Sequence, residues 1–253
     1  MTTYVVRDTT TLLKRSLRHV LRSPDTIITT AITPIAMLLL FVYVFGSAID
    51  VGDDAYVDYL LPGILLVPVA SAIAYTAFRM FTDVSSGIFE RFQSMPIARQ
   101  SLLWAHVLTS LVANLVSLVL VVLVAVAMGF RSGAGVLAWL AVLGILVLFT
   151  LGLTWLAVVP GLTATSVDGV SGFSYPLIFL PFISSAFVPT SGMPAPVRWF
   201  AEHQPVTPIV NTMRDLYAEQ PVGDDGWAAL AWCVGLVLVA YLFAMATYRR
   251  KIG

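Results

Sequence analysis

Between Ser86 and Arg99 the chain reads SGIFERFQSMPIAR, which sets Glu90, Arg91 and Arg99 among Ile88, Phe89, Phe92 and Met95. The chemistry open to such residues is recognition. Ile88, Phe92 and Met95 recur at i, i+4 and i+7, so one face of a short helix is apolar, and Glu90 and Arg91 lie off that stripe. Asp83 is placed as an N-cap, where its charge suits the helix terminus. Pro96 ends the helix, because it lacks the donor and disfavours helix in the residue before it. Phe89 and Phe92 can then anchor in a partner's groove with Glu90 and Arg91 as orienting charges, since aromatics and arginine typically carry interface energy. Pro96 and Arg99 set the geometry of this knob. The alternative is an interfacial helix that merely caps the two apolar runs beside it.

Other reactive types are scattered. His19, His106 and His203 are too far apart in sequence to support a metal site. Cys233 is the single cysteine, so an internal disulfide and a multi-cysteine site are excluded. The tetrapeptide at 172–175, GFSY, has a faint likeness to the G-x-S-G of rhomboid proteases, but Tyr175 replaces the second glycine and the last apolar run has no histidine to serve as base. No G-x-x-x-x-G-K-[ST] occurs, so the chain cannot cradle nucleotide phosphates by the P-loop route. Net charge is zero, which gives no basic face for nucleic acid.

The elements that must position the patch are membrane spans. Of 253 residues 58% are hydrophobic and 11% charged, against about 25% charged in soluble domains. A bilayer core needs about 20 apolar residues per helix, and runs of that kind fall at 27–48, 59–80, 105–129, 136–159, 171–189 and 227–247. The expectation is six spans, with five as the alternative because Pro176 and Pro181 blur the fifth. The polar start, with Arg7, Lys14, Arg15, Arg18 and Arg22, argues against a cleavable leader. Placing the N-terminus in the cytoplasm puts 11 of the 14 basic residues inside and leaves Arg131, Arg198 and Arg214 outside. Asp50, Asp53, Asp54 and Asp58 then cluster in the first external loop, and both termini are inside.

Four segments lie outside the spans. Residues 1–22 form a basic amphipathic stretch expected to lie in the inner interface, as a topology anchor or a partner-binding element. Residues 81–104 hold the patch, and 160–170 form a smaller cytoplasmic loop containing Asp168. Residues 190–226 carry Pro194, Pro196, Pro205, Pro208 and Pro221 and an amphipathic piece around Ile209, Val210, Met213 and Leu216. A hairpin dipping back into the outer leaflet fits that mixture best.

Asp83 to Arg99, DVSSGIFERFQSMPIAR, resembles the coupling-helix region of type-2 ABC exporter permeases, particularly the daunorubicin-resistance DrrB-like branch. Residues 187–217, FVPTSGMPAPVRWFAEHQPVTPIVNTMRDLY, resemble that family's membrane-dipping hairpin, and YLLPGILL at 59–66 is also similar. The resemblance runs over essentially the whole chain. It departs at Ala195-Pro196, where relatives often have Gly-Trp, which puts the start of the hairpin in doubt.

The resemblance implies an all-α polytopic permease forming a single type-2 transmembrane domain over 1–253. It implies a pore built with a second copy or a paralogue, and two cytoplasmic ABC ATPase subunits that bind ATP and Mg; no cofactor is expected in this chain itself. The cargo would be a small amphipathic drug, antibiotic or lipid moved outward across the bacterial plasma membrane. Coupling would fall to Ile88, Phe89, Glu90, Arg91, Phe92, Met95, Pro96 and Arg99. The second and fifth spans would line the route, with Tyr75, Phe78, Phe179 and Phe182 as lining residues or ordinary packing. Asn114, Ser184 and Ser185 would line it too or satisfy neighbouring helices. The hairpin, with Met193, Pro194, Pro205 and Pro208, would form an outer gate. Two other classes stay open. An ion-coupled transporter normally needs intramembrane carboxylates, and the six runs contain no Asp or Glu. A scaffold that recruits a soluble partner would differ only by moving no substrate.

Overall fold

The computed structural model describes residues 24–45, 56–87 and 101–252. The basic stretch 1–22 and the patch residues Ile88, Phe89, Glu90, Arg91, Phe92, Met95, Pro96 and Arg99 lie outside the described residues. Among the described residues every regular element is helical. In chain order they are α1 (Pro24–Leu40), a π-helical turn (Phe41–Phe45), α2 (Tyr56–Ser85), α3 (Ser101–Ala127), α4 (Val136–Thr163) and α5 (Val167–Phe179). A 3-10 turn (Leu180–Ile183), a second one (Thr190–Gly192), α6 (Ala195–His203), α7 (Val206–Tyr217) and α8 (Asp224–Ile252) complete the chain.

Four of these helices, α2, α3, α4 and α8, are long and apolar enough to cross a membrane. Two apolar helices, Ala31–Val44 and Val167–Ile183, are shorter and fall where the first and fifth runs were expected. The fifth is short because its sequence stops it. Pro181 has no N–H to continue the α-helical bonding, the α-helix gives way to a 3-10 turn, and Ser184 is extended at φ −148°.

The central helix is α2, whose most apolar window is 83% buried within the chain. It packs most heavily on α4, and α4 in turn on α8. Lipid tails are as apolar as leucine, so burial alone does not drive helices together there; close approach and dispersion do. Glycines open those approaches. A Cβ on Gly161 of α4 would sit 2.6 Å from Met80 Cβ on α2, and one on Gly152 would meet the Leu236 side chain of α8 at 2.8 Å. Near that seam Trp155 meets Trp104 and Tyr241 edge-on, each at 4.9 Å between centroids. Lys251, in the last turn of α8, donates to the carbonyl of Leu162 near the end of α4.

Pro62 and Pro68 lie inside α2. Each removes a backbone donor to the carbonyl four residues earlier, and polar side chains tie α2 to α3 nearby. Asn114 Nδ2 of α3 donates to the Pro68 carbonyl at 2.8 Å, and Thr76 Oγ1 donates to Ser110 Oγ at 2.9 Å. The polar residue Asn114 thus satisfies a neighbouring helix.

Two local expectations are corrected. Asp83 does not cap a new helix, because α2 continues unbroken through it to Ser85. The loop expected at 160–170 shrinks to 164–166, because α4 runs through Pro160 to Thr163 and α5 begins at Val167. Ser166 caps α5 by accepting from the Gly169 amide at 3.2 Å, and exposed Asp168 sits in the first turn, where a negative charge is favoured.

Candidate functional site at the hairpin end

The end of the bundle formed by the start of α2 and the start of α8 is covered by the short helix α7, on which α6 packs. On α7, Val206, Val210, Met213 and Tyr217 are buried at helical spacing. Arg214 falls on that same inward side. Its Nε donates to the Tyr59 carbonyl of α2 at 3.1 Å, and its Nη2 donates to the carbonyls of Ser185 at 2.8 Å and Ala186 at 3.1 Å. The guanidinium carbon lies 3.7 Å from the Tyr59 ring centroid, a cation-π stack. Burial holds the Arg214 pKa below the usual guanidinium value, opposed by Tyr59 and Asp215. No carboxylate forms an ion pair with it among the described residues. Three carbonyls and a ring face carry the charge instead.

The irregular 184–187 segment is what Arg214 grips, and further bonds hold it. Tyr59 Oη also donates to the Ser185 carbonyl at 3.1 Å. The Ser185 amide donates to Thr207 Oγ1 at 3.2 Å, and Ser185 Oγ donates to Asn211 Oδ1 at 2.9 Å. Asn211 Nδ2 then reaches Asp225 Oδ2 of α8 at 2.8 Å. Gln204, buried between α6 and α7, donates to the carbonyls of Ile183 at 3.2 Å and Leu180 at 3.5 Å, while its Oε1 accepts from the Val206 amide. Non-helical backbone at such depth needs its polar groups satisfied from within the protein, and the hairpin supplies the partners. A glycine makes room: a Cβ on Gly63 would sit 2.8 Å from the Ala186 oxygen.

Asp215, next to the clamp, has its pKa raised, first by burial and then by Asp225, against the pull of Arg214. Farther out, exposed Arg198 and Glu202 pair at 2.8 Å, and that bond holds the Glu202 carboxyl below its usual range. Trp199 stacks on His203 at 4.8 Å, and His203 Nδ1 lies 2.8 Å from the Trp199 carbonyl.

The expected site residues separate into groups. Phe179 and Phe182 come together at 6.1 Å, and Phe182 stacks on Phe187 at 5.0 Å, which stacks in turn on Phe41 at 5.1 Å. Tyr75 and Phe78 share no ring contact with that row among the described residues; Arg79 lies 5.5 Å over the Tyr75 ring, and Phe78 is exposed. Met193 follows the second 3-10 turn and bonds back to Thr190. Pro194 precedes α6, Pro205 joins α6 to α7, and Pro208 is buried in the first turn of α7. Sequence reasoning missed Gln204, Thr207, Asn211 and Arg214. The signal for Arg214 was present: an arginine on the stripe that the apolar residues of α7 also occupy.

The profile of the ABC-2 type transporter family matches residues 7–217. The chain is 28% identical over 250 residues to the daunorubicin resistance ABC transporter permease protein DrrB1 of Streptomyces coeruleorubidus, covering 97% of this chain and 87% of that one. It is 24% identical over 226 residues to the probable doxorubicin resistance ABC transporter permease protein DrrC of Mycobacterium tuberculosis (strain ATCC 25618 / H37Rv), covering 89% and 82%.

Proposed function

Because the chain belongs to the ABC-2 type transporter family, we propose that it is the membrane permease subunit of an ATP-driven exporter that moves an amphipathic drug, antibiotic or lipid outward. The observation that carries this reading is the family match, which spans both the 83–99 patch and the hairpin. The daunorubicin and doxorubicin resistance for which the two relatives are named supports an amphipathic cargo. The permease works with a second copy or a paralogue, and two separate cytoplasmic ATPase subunits bind ATP and Mg. It sits in the bacterial plasma membrane with six spans and both termini inside.

In this reading Ile88, Phe89, Glu90, Arg91, Phe92 and Met95 dock on the ATPase, with Pro96 and Arg99 fixing the segment. Tyr75, Phe78, Phe179 and Phe182 face the route. The hairpin from Met193 to Tyr217 closes it on the outer side, with its tip dipping into the outer leaflet and Arg214 holding it on α2. Support for the gate is physical: the fifth span is interrupted at the residues that α7 grips, so movement of the hairpin and of that span must go together.

The test is a mild-detergent pull-down of the tagged protein from its host, beside a variant carrying Glu90→Ala, Arg91→Ala and Phe92→Ala. Recovery of a P-loop ATPase with the native protein, and its loss from a variant still folded in the membrane, is the expected result. Absence of any ATPase from both would sink the reading.

A further inference from the structure

At the opposite end of the bundle, α2 stops at Ser85 and α3 starts at Ser101, so these two helix ends hold the two ends of residues 88–100. They are joined by a polar pair, His106 Nε2 to Asp83 Oδ2 at 2.9 Å, with His106 7% exposed and the Asp83 side chain 30% exposed.

Helix electrostatics does not explain this placement. Asp83 lies in the last turn of α2, where the macrodipole disfavours a negative charge. Local capping does not need it either, since the hydroxyls of Thr82, Ser85 and Ser86 bond to the carbonyls of Phe78, Thr82 and Asp83. His106 sits past the first turn of α3, beyond the reach of the dipole. Asp83 is misplaced for its own helix, and its bond to His106 across the helix pair accounts for it. Their surroundings are closely packed. Met80 is fully buried against Gly161, and Leu103 and Val107 belong to the buried cluster that includes Trp155, Val158 and Leu162 of α4 and Met245 and Tyr248 of α8.

We propose that Asp83 and His106 are positioning residues that yoke α2 to α3 at the base of the coupling segment, so that displacement of that segment moves both helices together. This rests on the reading that 88–100 docks on an ATPase. An unyoked base would still present the docking side chains, but a push on the segment would be absorbed by relative sliding of the two helix ends. Docking and transmission are thereby separable, and the pair serves the second.

The experiment uses the permease–ATPase complex in vesicles, reading ATPase co-purification and drug transported per ATP hydrolysed for Asp83→Leu, His106→Leu and their double variant. Co-purification should stay within about twofold of native while transport per ATP falls about tenfold in each single variant, and the double variant should be no worse than either single, as for two members of one interaction. His106→Gln, which keeps a donor near the Nε2 position, should recover most of the transport and guards against a folding defect. Unchanged transport, additive losses, or ATPase loss in step with transport would each overturn the proposal. A native complex that captures no ATPase defeats the docking reading itself, and the yoke with it.

Discussion

The two ends of the bundle are held by different physics. At the hairpin end Arg214 grips backbone carbonyls of α2 and the 184–187 segment, while side-chain bonds through Thr207 and Asn211 tie α7 to that segment and to Asp225 of α8. At the other end glycines and aromatic rings bring α2, α3, α4 and α8 into close contact, with Asp83–His106 as a polar pair between helices. The first kind of joint is directional and can break and re-form as bonds exchange with water. The second has no such exchange: packed cores are bistable rather than soft. The proposed outer gate and the proposed coupling base would call for these two kinds of joint.

Replacing Arg214 tests the contrast most severely. Arg214→Leu leaves the carbonyls of Tyr59, Ser185 and Ala186 without their charged donor and should cost about 3 kcal/mol. The loss should appear in hydrogen exchange as faster opening of 184–217 with little change in α8. Arg214→Lys keeps the charge but not the planar fork, and should restore only part of the protection. Equal protection in native and Leu variants would show that the clamp holds nothing.

Gly161→Val is the matching insult at the far end. Its Cβ alone would fall 2.6 Å from Met80 Cβ, and overpacking of this order costs about 1–3 kcal/mol. Thermal unfolding in detergent should show it, and hairpin exchange should not. If both variants loosened the same residues, the two ends would form one unit and the comparison would fail.

A smaller effect sharpens it. Asn114→Leu removes the bond to the Pro68 carbonyl, and polar contacts between membrane helices are worth only about 0.6 kcal/mol on average. A loss several times larger would mean that α2 depends on this bond at its proline.

Smallest is Asp215→Asn. The folded carboxyl has a raised pKa, so the folded state binds more protons than the unfolded chain between the ordinary carboxylate value and the raised one. Stability therefore falls as pH rises through that window. The asparagine variant should be slightly more stable at neutral pH, within ~0.5 kcal/mol, and indistinguishable from native in acid. A gap that widens in acid would contradict that assignment.

Much of this architecture was legible in the residues. The four long helices follow from runs of apolar residues, and the break after Phe179 follows from Pro181. The clamp was not legible, for a physical reason. Arg214 bonds to carbonyls, which every residue carries, so no complementary side chain marks its partners in the sequence. Counting it as an outward charge ignored the buried stripe it shares. Asp83 misled differently. Short-range logic allows an acid before a charged stretch to cap a helix, whereas its partner His106 is brought beside it only by the pairing of α2 with α3.

The choice of carbonyl acceptors has an evolutionary corollary. A grip on backbone oxygens survives almost any replacement at the gripped positions, provided the chain path is kept. Residue 186 can vary only as far as its neighbour Gly63 leaves space, but its oxygen stays available whatever side chain it carries. Mutational drift on the receiving side is therefore nearly neutral for the latch, and selection is concentrated on the donors, Arg214, Gln204 and Tyr59, whose ring also lies beneath the guanidinium.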